Sequence, residues 1–191
     1  MTDVVGILLA AGSAQRFGTH KLTQSLADGT PIGVAAASAL IAAVPNSIAV
    51  VRPDDYPLIK AFSSLGLKIV ENSLADEGMG TSLAAGVNAS ADTDGWLIAL
   101  ADMPWVHART ISMLADTLQN GASMVAPVHA GRRGHPVGFS RHWGERLQAL
   151  SGDEGARNLL AAQADKLVLQ DTQDAGVLED IDHPHDLVRQ G

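Results

Sequence analysis

Short apolar runs alternate with helix-like segments along the first part of this chain. Residues 4–10 are almost continuously apolar, a pattern typical of a strand that a parallel sheet buries on both faces. Similar runs predict strands at residues 47–51, 67–70 and 96–100. The segments between them predict helices at residues 31–44, 56–65, 81–89 and 107–120, with Pro31 at the first helical position.

The rest of the chain is less regular, and its predicted elements are shorter. Strands are expected at residues 122–128, 136–139, 167–169 and 177–181, and helices at 141–150 and 154–163. No internal repeat or linker-like segment interrupts the pattern. The alternation of strands and helices predicts one three-layer α/β/α domain over residues 1–191, Rossmann-like and built on a mainly parallel sheet.

Composition narrows the functional classes. The chain has 191 residues, of which 46% are hydrophobic, and a formal net charge of −8. The apolar fraction predicts a packed core, and the negative charge argues against general affinity for nucleic acids or anionic membranes. The absence of cysteine excludes disulfides and cysteine-bound metals. Because no run resembles a signal peptide or a membrane span, we expect a soluble cytoplasmic protein.

The loop after the first strand carries candidate chemistry. Gly12, Arg16, Gly18 and Lys21 follow the apolar run, and open α/β sheets bind ligands at the carboxyl ends of their strands. The segment matches neither the Walker A loop nor the dinucleotide fingerprint. Two interpretations stay open: a loop whose backbone amides and cations hold a polyphosphate, or a surface loop with two solvated cations.

Acidic residues supply a second candidate group. Asp102 directly follows the predicted strand at 96–100, so its carboxylate should lie at the same sheet edge as the loop. If Ile181 points into the core, Asp180 and Asp182 project from the opposite face of a strand and could complete a metal site with Asp102. Each aspartate could instead serve as a turn or helix-cap residue. The seven histidines lack zinc-site spacing, so no zinc is predicted.

Beyond these patterns, the chain resembles a known family. The stretch "LLAAGSAQRFGTHKL" resembles the signature of the nucleotidyltransferase superfamily, and within it the molybdenum cofactor cytidylyltransferases and related MobA-like transferases. The segments "EGMGTSLAAGV", "ALADMPWV", "VAPVHAGRRGHPVGFS", "LSGDEGARNLL" and "LEDIDHPHDL" are similar to family segments in the same order. The resemblance therefore covers nearly the whole chain and implies a nucleotidyltransferase fold.

The resemblance implies a role for each matching residue. It assigns nucleotide binding to Leu9, Ala10, Ala11, Gly12, Arg16, Lys21, Gly80, Ser82 and Asp102, with Lys21, Arg16 and Asp102 as the catalytic set. It implies Asp102 and Asp182 as metal ligands, with Asp180 as support, and His135 and Arg157 as contacts of the second substrate. Related guanylyltransferases usually have glycine where this chain has Ala11, so Ala11 points towards a cytosine nucleotide.

The reaction implied is transfer of CMP from CTP to the terminal phosphate of molybdopterin or its metal-loaded form, with release of pyrophosphate. The implied cofactor is Mg²⁺, with Mn²⁺ as an alternative, and a molybdoenzyme or its cofactor-insertion chaperone would be the protein partner. Three alternatives stay open: GTP as the nucleotide, a sugar or polyol phosphate as the acceptor, and a non-catalytic carrier of nucleotide or pterin.

Overall fold

The computed structural model describes residues 3–12, 20–153 and 155–188. Within these ranges, eight strands form one sheet: β1 (Val4–Leu9), β2 (Ser47–Val51), β3 (Lys68–Glu71), β4 (Gly95–Leu100), β5 (Met124–His129), β6 (Arg132–Arg133), β7 (Val137–Ser140) and β8 (Leu167–Asp171). Their order is β3-β2-β1-β4-β7-β5-β6, with β8 also paired to β5. Strands β1–β5 and β8 run in one direction, and β6 and β7 oppose them, so the sheet is mainly parallel as predicted.

Helices cover both faces of this sheet: α1 (Ile32–Ala43), α2 (Tyr56–Ser64), α3 (Met79–Ala89), α4 (Ala108–Gln119), α5 (Gly144–Gln148) and α6 (Arg157–Ala162). One core cluster contains residues of α1, α2 and α4, and the other contains residues of α3, α5 and α6. In β1, Leu8 belongs to the first cluster and Ile7 to the second, which explains the continuous apolar run. In the described ranges, none of the helices is long and apolar enough to cross a membrane.

Several predicted boundaries need correction. Pro31 is the N-cap of α1 rather than its first residue, and α3 begins two residues before the predicted start, at Met79. The predicted helix at 141–150 is a 3₁₀ turn (Arg141–Trp143) followed by α5, and the one at 154–163 shortens to α6.

The predicted strand at 177–181 is wrong, because the segment begins as a 3₁₀ helix (Ala175–Leu178). The buried Asp174 carboxylate fixes this geometry. It accepts hydrogen bonds from the backbone amides of His107 and Gly176 and from the Thr110 hydroxyl. A carboxylate with these partners favours a turn over a sheet ladder, since its bonds curl the backbone around the N-terminus of α4.

The strand order determines which residues meet at the carboxyl edge of the sheet. β1 lies between β2 and β4, with Leu9 opposite both Val50 and Leu100. The residues that follow these three strands therefore emerge side by side. They are residues 10–12 after β1, Arg52 after β2 and Asp102 after β4.

Candidate active site

A cavity of about 770 Å³ opens at this carboxyl edge. Its walls come from residues 9–12, the 3₁₀ segment Lys21–Thr23, Arg52 just after β2, the start of α3, and the residues Asp102, Asp153 and Asp182. Such a volume lies within the range of small-molecule sites. The location is the one that the apolar strand and its loop predicted.

Lys21 and two aspartates form the charged centre of the cavity. The Lys21 ammonium lies 2.8 Å from Asp102 Oδ2 and 3.6 Å from Asp182 Oδ1. The Lys21 side chain is 13% exposed, against 27% for Asp102 and 48% for Asp182. The structure thus brings together three of the predicted site residues, from distant parts of the chain. Two carboxylates that share one cation form a site with affinity for positive charge.

The backbone positions the two aspartates relative to each other. Asp102 lies two residues after β4, and its carbonyl accepts a hydrogen bond of 2.9 Å from the Ile181 amide. The Ile181 side chain is fully buried, as predicted, and anchors the segment that carries Asp182. The sequence pattern predicts a strand around Ile181 that would position Asp182. In the structure, this hydrogen bond positions Asp182 instead.

The electrostatics of the cavity favour a bound cation. Burial raises the pKa of Asp180 and is the largest effect; the Asp182 and Asp102 carboxylates also raise it, while a backbone hydrogen bond at Asp180 and the Lys21 charge lower it. Among the described lining residues, the acids Asp55, Asp76, Asp102, Asp153 and Asp182 outnumber the fully cationic Lys21 and Arg52. A polyanion therefore needs additional positive charge to bind here. Arg16, predicted to supply some of it, lies outside the described residues.

Some backbone groups in the wall formed by residues 9–12 are already hydrogen-bonded within the sheet. The Leu9 carbonyl accepts the Ala101 amide, and the Ala10 amide donates to the Val50 carbonyl. The Ala11 carbonyl accepts a 3.0 Å hydrogen bond from Arg52 Nε, and Ala11 as a whole is only 2% exposed. Arg52 also forms a 2.8 Å ion pair with Asp76. Arg52 therefore fixes the backbone at the position that the family resemblance connects with base selection.

The opposite wall is the start of α3, where backbone packs closely on backbone. Gly78, Met79 and Ser82 line the cavity, whereas the Gly80 amide donates to the Gly152 carbonyl at 2.8 Å. The predicted nucleotide contact of Gly80 therefore cannot use its amide, which is already bonded within the protein. The segment around Gly152 supports this wall through that hydrogen bond.

Replacing Gly78 with alanine should disrupt this wall. Gly78 has φ 112° and ψ 171°, a region open essentially to glycine alone, and an added Cβ would overlap the Gly152 backbone. We expect the free energy of unfolding to fall by about 2–4 kcal/mol, since backbone strain and steric overlap add. Gly121→Ala is the matched control, because Gly121 also has a positive φ but nothing within 4 Å of an added Cβ. Urea unfolding of both variants makes the comparison, and equal losses would contradict it.

The structure does not place the two predicted acceptor contacts in the cavity wall. His135 is half-buried beside the 175–178 turn, where its amide donates to the Val177 carbonyl, and its Nδ1 is buried without a partner among the described residues. Burial lowers the pKa of His135, Arg133 lowers it further, and Asp102 opposes the shift. Arg157 is exposed at the first residue of α6. Neither residue lines the cavity, so their contact with a second substrate stays a prediction.

His135 should make stability depend on pH. Because its pKa is lowered in the folded state, the neutral imidazole favours folding. That stability is present above the unfolded pKa near 6.5 and is lost as the pH falls through the folded pKa. His135→Gln should therefore lose less free energy of unfolding than the unmodified chain when the pH falls from about 7.5 to about 5. Denaturant curves at both pH values test this, and an identical loss in the two proteins would refute it.

Sequence reasoning missed two residues of this region, although the signal was present. Arg52 follows β2 and Asn72 follows β3, and both are polar residues at the carboxyl ends of predicted strands. The rule that identified Asp102 applies equally to them. Asp153, in contrast, lines the cavity from a distant loop, and no local pattern indicated this.

Comparison with known proteins identifies relatives of this chain. The family model described as "MobA-like NTP transferase domain" matches residues 6–167. Purine catabolism protein PucB of Bacillus subtilis (strain 168) is 29% identical over 204 residues, 97% of this chain and 96% of that protein. Nicotine blue oxidoreductase of Paenarthrobacter nicotinovorans is 28% identical over 195 residues, 97% of this chain and 95% of that protein.

Solved structures share the fold. The crystal structure of Rv0371c from Mycobacterium tuberculosis H37Rv has a TM-score of 0.83 and 24% identity, and the alignment covers 97% of this chain and 95% of that one. A crystal structure of Rv0371c in complex with manganese has a TM-score of 0.81 and 22% identity, covering 97% and 96%. This similarity confirms the predicted three-layer α/β fold with its mainly parallel sheet.

Proposed function

Because the chain belongs to the MobA-like NTP transferase domain family, we propose that it is a metal-dependent cytidylyltransferase. It would transfer CMP from CTP to the terminal phosphate of molybdopterin or its metal-loaded form and release pyrophosphate. The family match supports nucleotide transfer, and the six ordered sequence segments support the choice of nucleotide and acceptor. A molybdoenzyme or its insertion chaperone would receive the product in the cytoplasm.

The observation that carries this proposal is the position of Lys21 between Asp102 and Asp182. The ammonium, at 2.8 and 3.6 Å from the two carboxylates, shows that they can share a positive charge. Both donors are hard oxygen atoms, which suit Mg²⁺ or Mn²⁺, and Mg²⁺ commonly takes only one or two protein carboxylates beside phosphate and water. The 3.6 Å distance to Asp182 favours it over Asp180 as the second ligand. The manganese complex of Rv0371c is consistent with such a site.

When bound, the metal would supply positive charge to the triphosphate and its leaving group. The chain's own residues would do the rest by positioning. Residues 9–12 and the start of α3 form the walls that would hold the base and ribose, and Lys21 would neutralise phosphate charge. An acceptor phosphate oxygen forms the new bond to the α-phosphorus as the bond to the β-phosphate oxygen breaks. A phosphate monoester is largely dianionic near pH 7, so no side chain has to remove a proton.

Ala11 should influence which base is accepted. Ala11 lines the cavity and is almost fully buried, so the wall must adjust if its methyl group is removed. We expect Ala11→Gly to lower the preference for CTP over GTP by about tenfold, the order of one methyl group in a binding pocket. Competition between the two nucleotides at fixed acceptor measures the ratio. Ala42→Gly, a change at an exposed position of α1, serves as the control for glycine substitution itself. An unchanged preference for CTP over GTP would contradict a role of Ala11 in base selection.

Pyrophosphate release tests the proposed function. The purified chain is assayed with CTP, GTP, ATP and UTP, each with and without molybdopterin, and with Mg²⁺ or excess chelator. We expect release that requires CTP, acceptor and metal together. Release with a sugar or polyol phosphate, or with GTP in preference to CTP, would replace the proposed substrates. Nucleotide binding without release under any condition would replace the enzyme with a carrier.

The name of one relative calls for a further assay. Because Nicotine blue oxidoreductase is 28% identical to this chain, consumption of NADH and NADPH is followed under the same conditions. We expect none that depends on the protein. Consumption of a reduced nicotinamide nucleotide without pyrophosphate release would contradict the proposed group transfer.

A further inference from the structure

A buried polar cluster lies behind the α3 wall of the cavity. Asn72 follows β3, and its amide continues the sheet ladder by donating to the Val51 carbonyl. Its side chain contacts Thr81 and Ser82 in the first turns of α3, and all three residues are buried. Of these three, Ser82 also lines the cavity.

Hydrogen bonds fix the orientation of the Asn72 side chain. Asn72 Oδ1 accepts the Leu74 amide at 3.0 Å, and Nδ2 donates to Thr81 Oγ1 at 3.1 Å and to Ser82 Oγ at 3.0 Å. A flipped side-chain amide would direct its NH₂ group at the Leu74 N–H, donor against donor. The Asn72 side chain therefore acts as a donor towards α3.

The orientation determines where the Ser82 proton goes. Thr81 has directed its own hydroxyl proton to the Leu74 and Gly78 carbonyls, so it can only accept from Asn72. Ser82 Oγ likewise accepts from Asn72, and in the described part of the chain no acceptor is positioned for its proton. The Ser82 hydroxyl therefore keeps a proton that it can donate, and Ser82 borders the cavity.

We propose that Asn72 is a positioning residue that makes the Ser82 hydroxyl a hydrogen-bond donor to the base of the bound nucleotide. The inference rests on the proposed function, because it requires a nucleotide in this cavity. It specifies the chemistry at that point of the pocket: the base presents an acceptor, such as a ring nitrogen or a carbonyl oxygen, to Ser82. A base edge that presents only a donor there would leave the Ser82 proton without an acceptor among the described residues and the base.

Asn72→Asp tests the proposal because it replaces the donating NH₂ group of the side chain with an accepting oxygen. The carboxylate still accepts the Leu74 amide, but it can no longer donate, so Ser82 must turn its proton towards it. We expect affinity for CTP with Mg²⁺ to fall about threefold to tenfold, the range of one neutral hydrogen bond. The KM for CTP should rise in parallel, while kcat changes by less than about twofold, since the lost bond is made in ground and transition states alike.

Two controls separate positioning from general damage. Base-free ribose triphosphate carries the sugar and phosphates alone, so Asn72→Asp should bind it as the unmodified chain does. Ser82→Ala should weaken CTP binding in the unmodified chain but change it less than about twofold in the Asn72→Asp background, as expected for coupled groups. If Asn72→Asp does not fold, Asn72→Ala with and without Ser82→Ala completes the same cycle.

The outcomes are distinguishable. Equal weakening of CTP and ribose triphosphate, or independent effects of the two substitutions, would overturn the role of Asn72 while the proposed function stands. If the unmodified chain binds none of the four nucleoside triphosphates in calorimetry, the proposed function and this inference both fail.

Discussion

Replacing Asp102 with asparagine should lower pyrophosphate release at saturating CTP by about 10²- to 10³-fold, the usual cost of one electrostatic group at a reacting centre. The substitution keeps the shape of the side chain and removes the charge that holds Lys21 at 2.8 Å. The fold should persist, because Ile181 bonds to the backbone carbonyl of Asp102 and not to its carboxylate. Steady-state release of pyrophosphate and thermal unfolding are measured on the same samples.

Asp116→Asn provides the matched control for this loss. Asp116 is an exposed aspartate on α4 and lies outside the cavity lining, so removal of its charge should leave turnover unchanged. Near-normal turnover in Asp102→Asn would contradict the metal-ligand role. A large fall in both variants would indicate a general charge effect.

Replacing Lys21 with methionine should have two opposite effects. Turnover should fall by about 10²-fold or more, because phosphate charge loses a neutralising group. Binding of Mn²⁺ alone should become tighter by roughly fivefold, the effect of about 1 kcal/mol between charges about 4 Å apart in water-like surroundings. In the proposed site the ammonium would compete with the metal for both carboxylates, so its removal would leave Asp102 and Asp182 available to the metal.

The sign of the metal effect separates Lys21 from Asp102. Mn²⁺ titration followed by electron paramagnetic resonance should show weaker binding in Asp102→Asn and tighter binding in Lys21→Met. Lys60→Met, on the exposed side of α2, controls for loss of a positive charge elsewhere. Weaker Mn²⁺ binding in Lys21→Met would contradict the view that the lysine and the metal share two carboxylates.

The sequence predicts most of the sheet because its central strands are buried on both faces. β1 and β4 are apolar throughout, and the residues after them, including Asp102, are therefore recognisable as edge residues. The same logic would have selected Arg52 and Asn72. The Arg52 bond to the Ala11 carbonyl was beyond such reasoning, because it depends on which strands are neighbours.

The placement of Asp182 shows where local patterns fail. The alternating residues around Ile181 suggested a strand, and the burial of Ile181 fits that pattern. The backbone there is instead determined by two long-range contacts: the bond from Ile181 to the Asp102 carbonyl and the anchoring of the preceding turn by Asp174. A buried aspartate such as Asp174 has no signature in the sequence that distinguishes it from an exposed one.

The fate of the α-phosphate tests the central claim most directly. CTP labelled at the α-phosphorus and CTP labelled at the γ-phosphorus are each incubated with the protein, Mg²⁺ and molybdopterin, and the products are separated. Cytidylyl transfer predicts that the α-label moves to the pterin product and the γ-label to pyrophosphate, in equal amounts. Transfer of the γ-label to the acceptor, or no transfer of the α-label, would contradict the account.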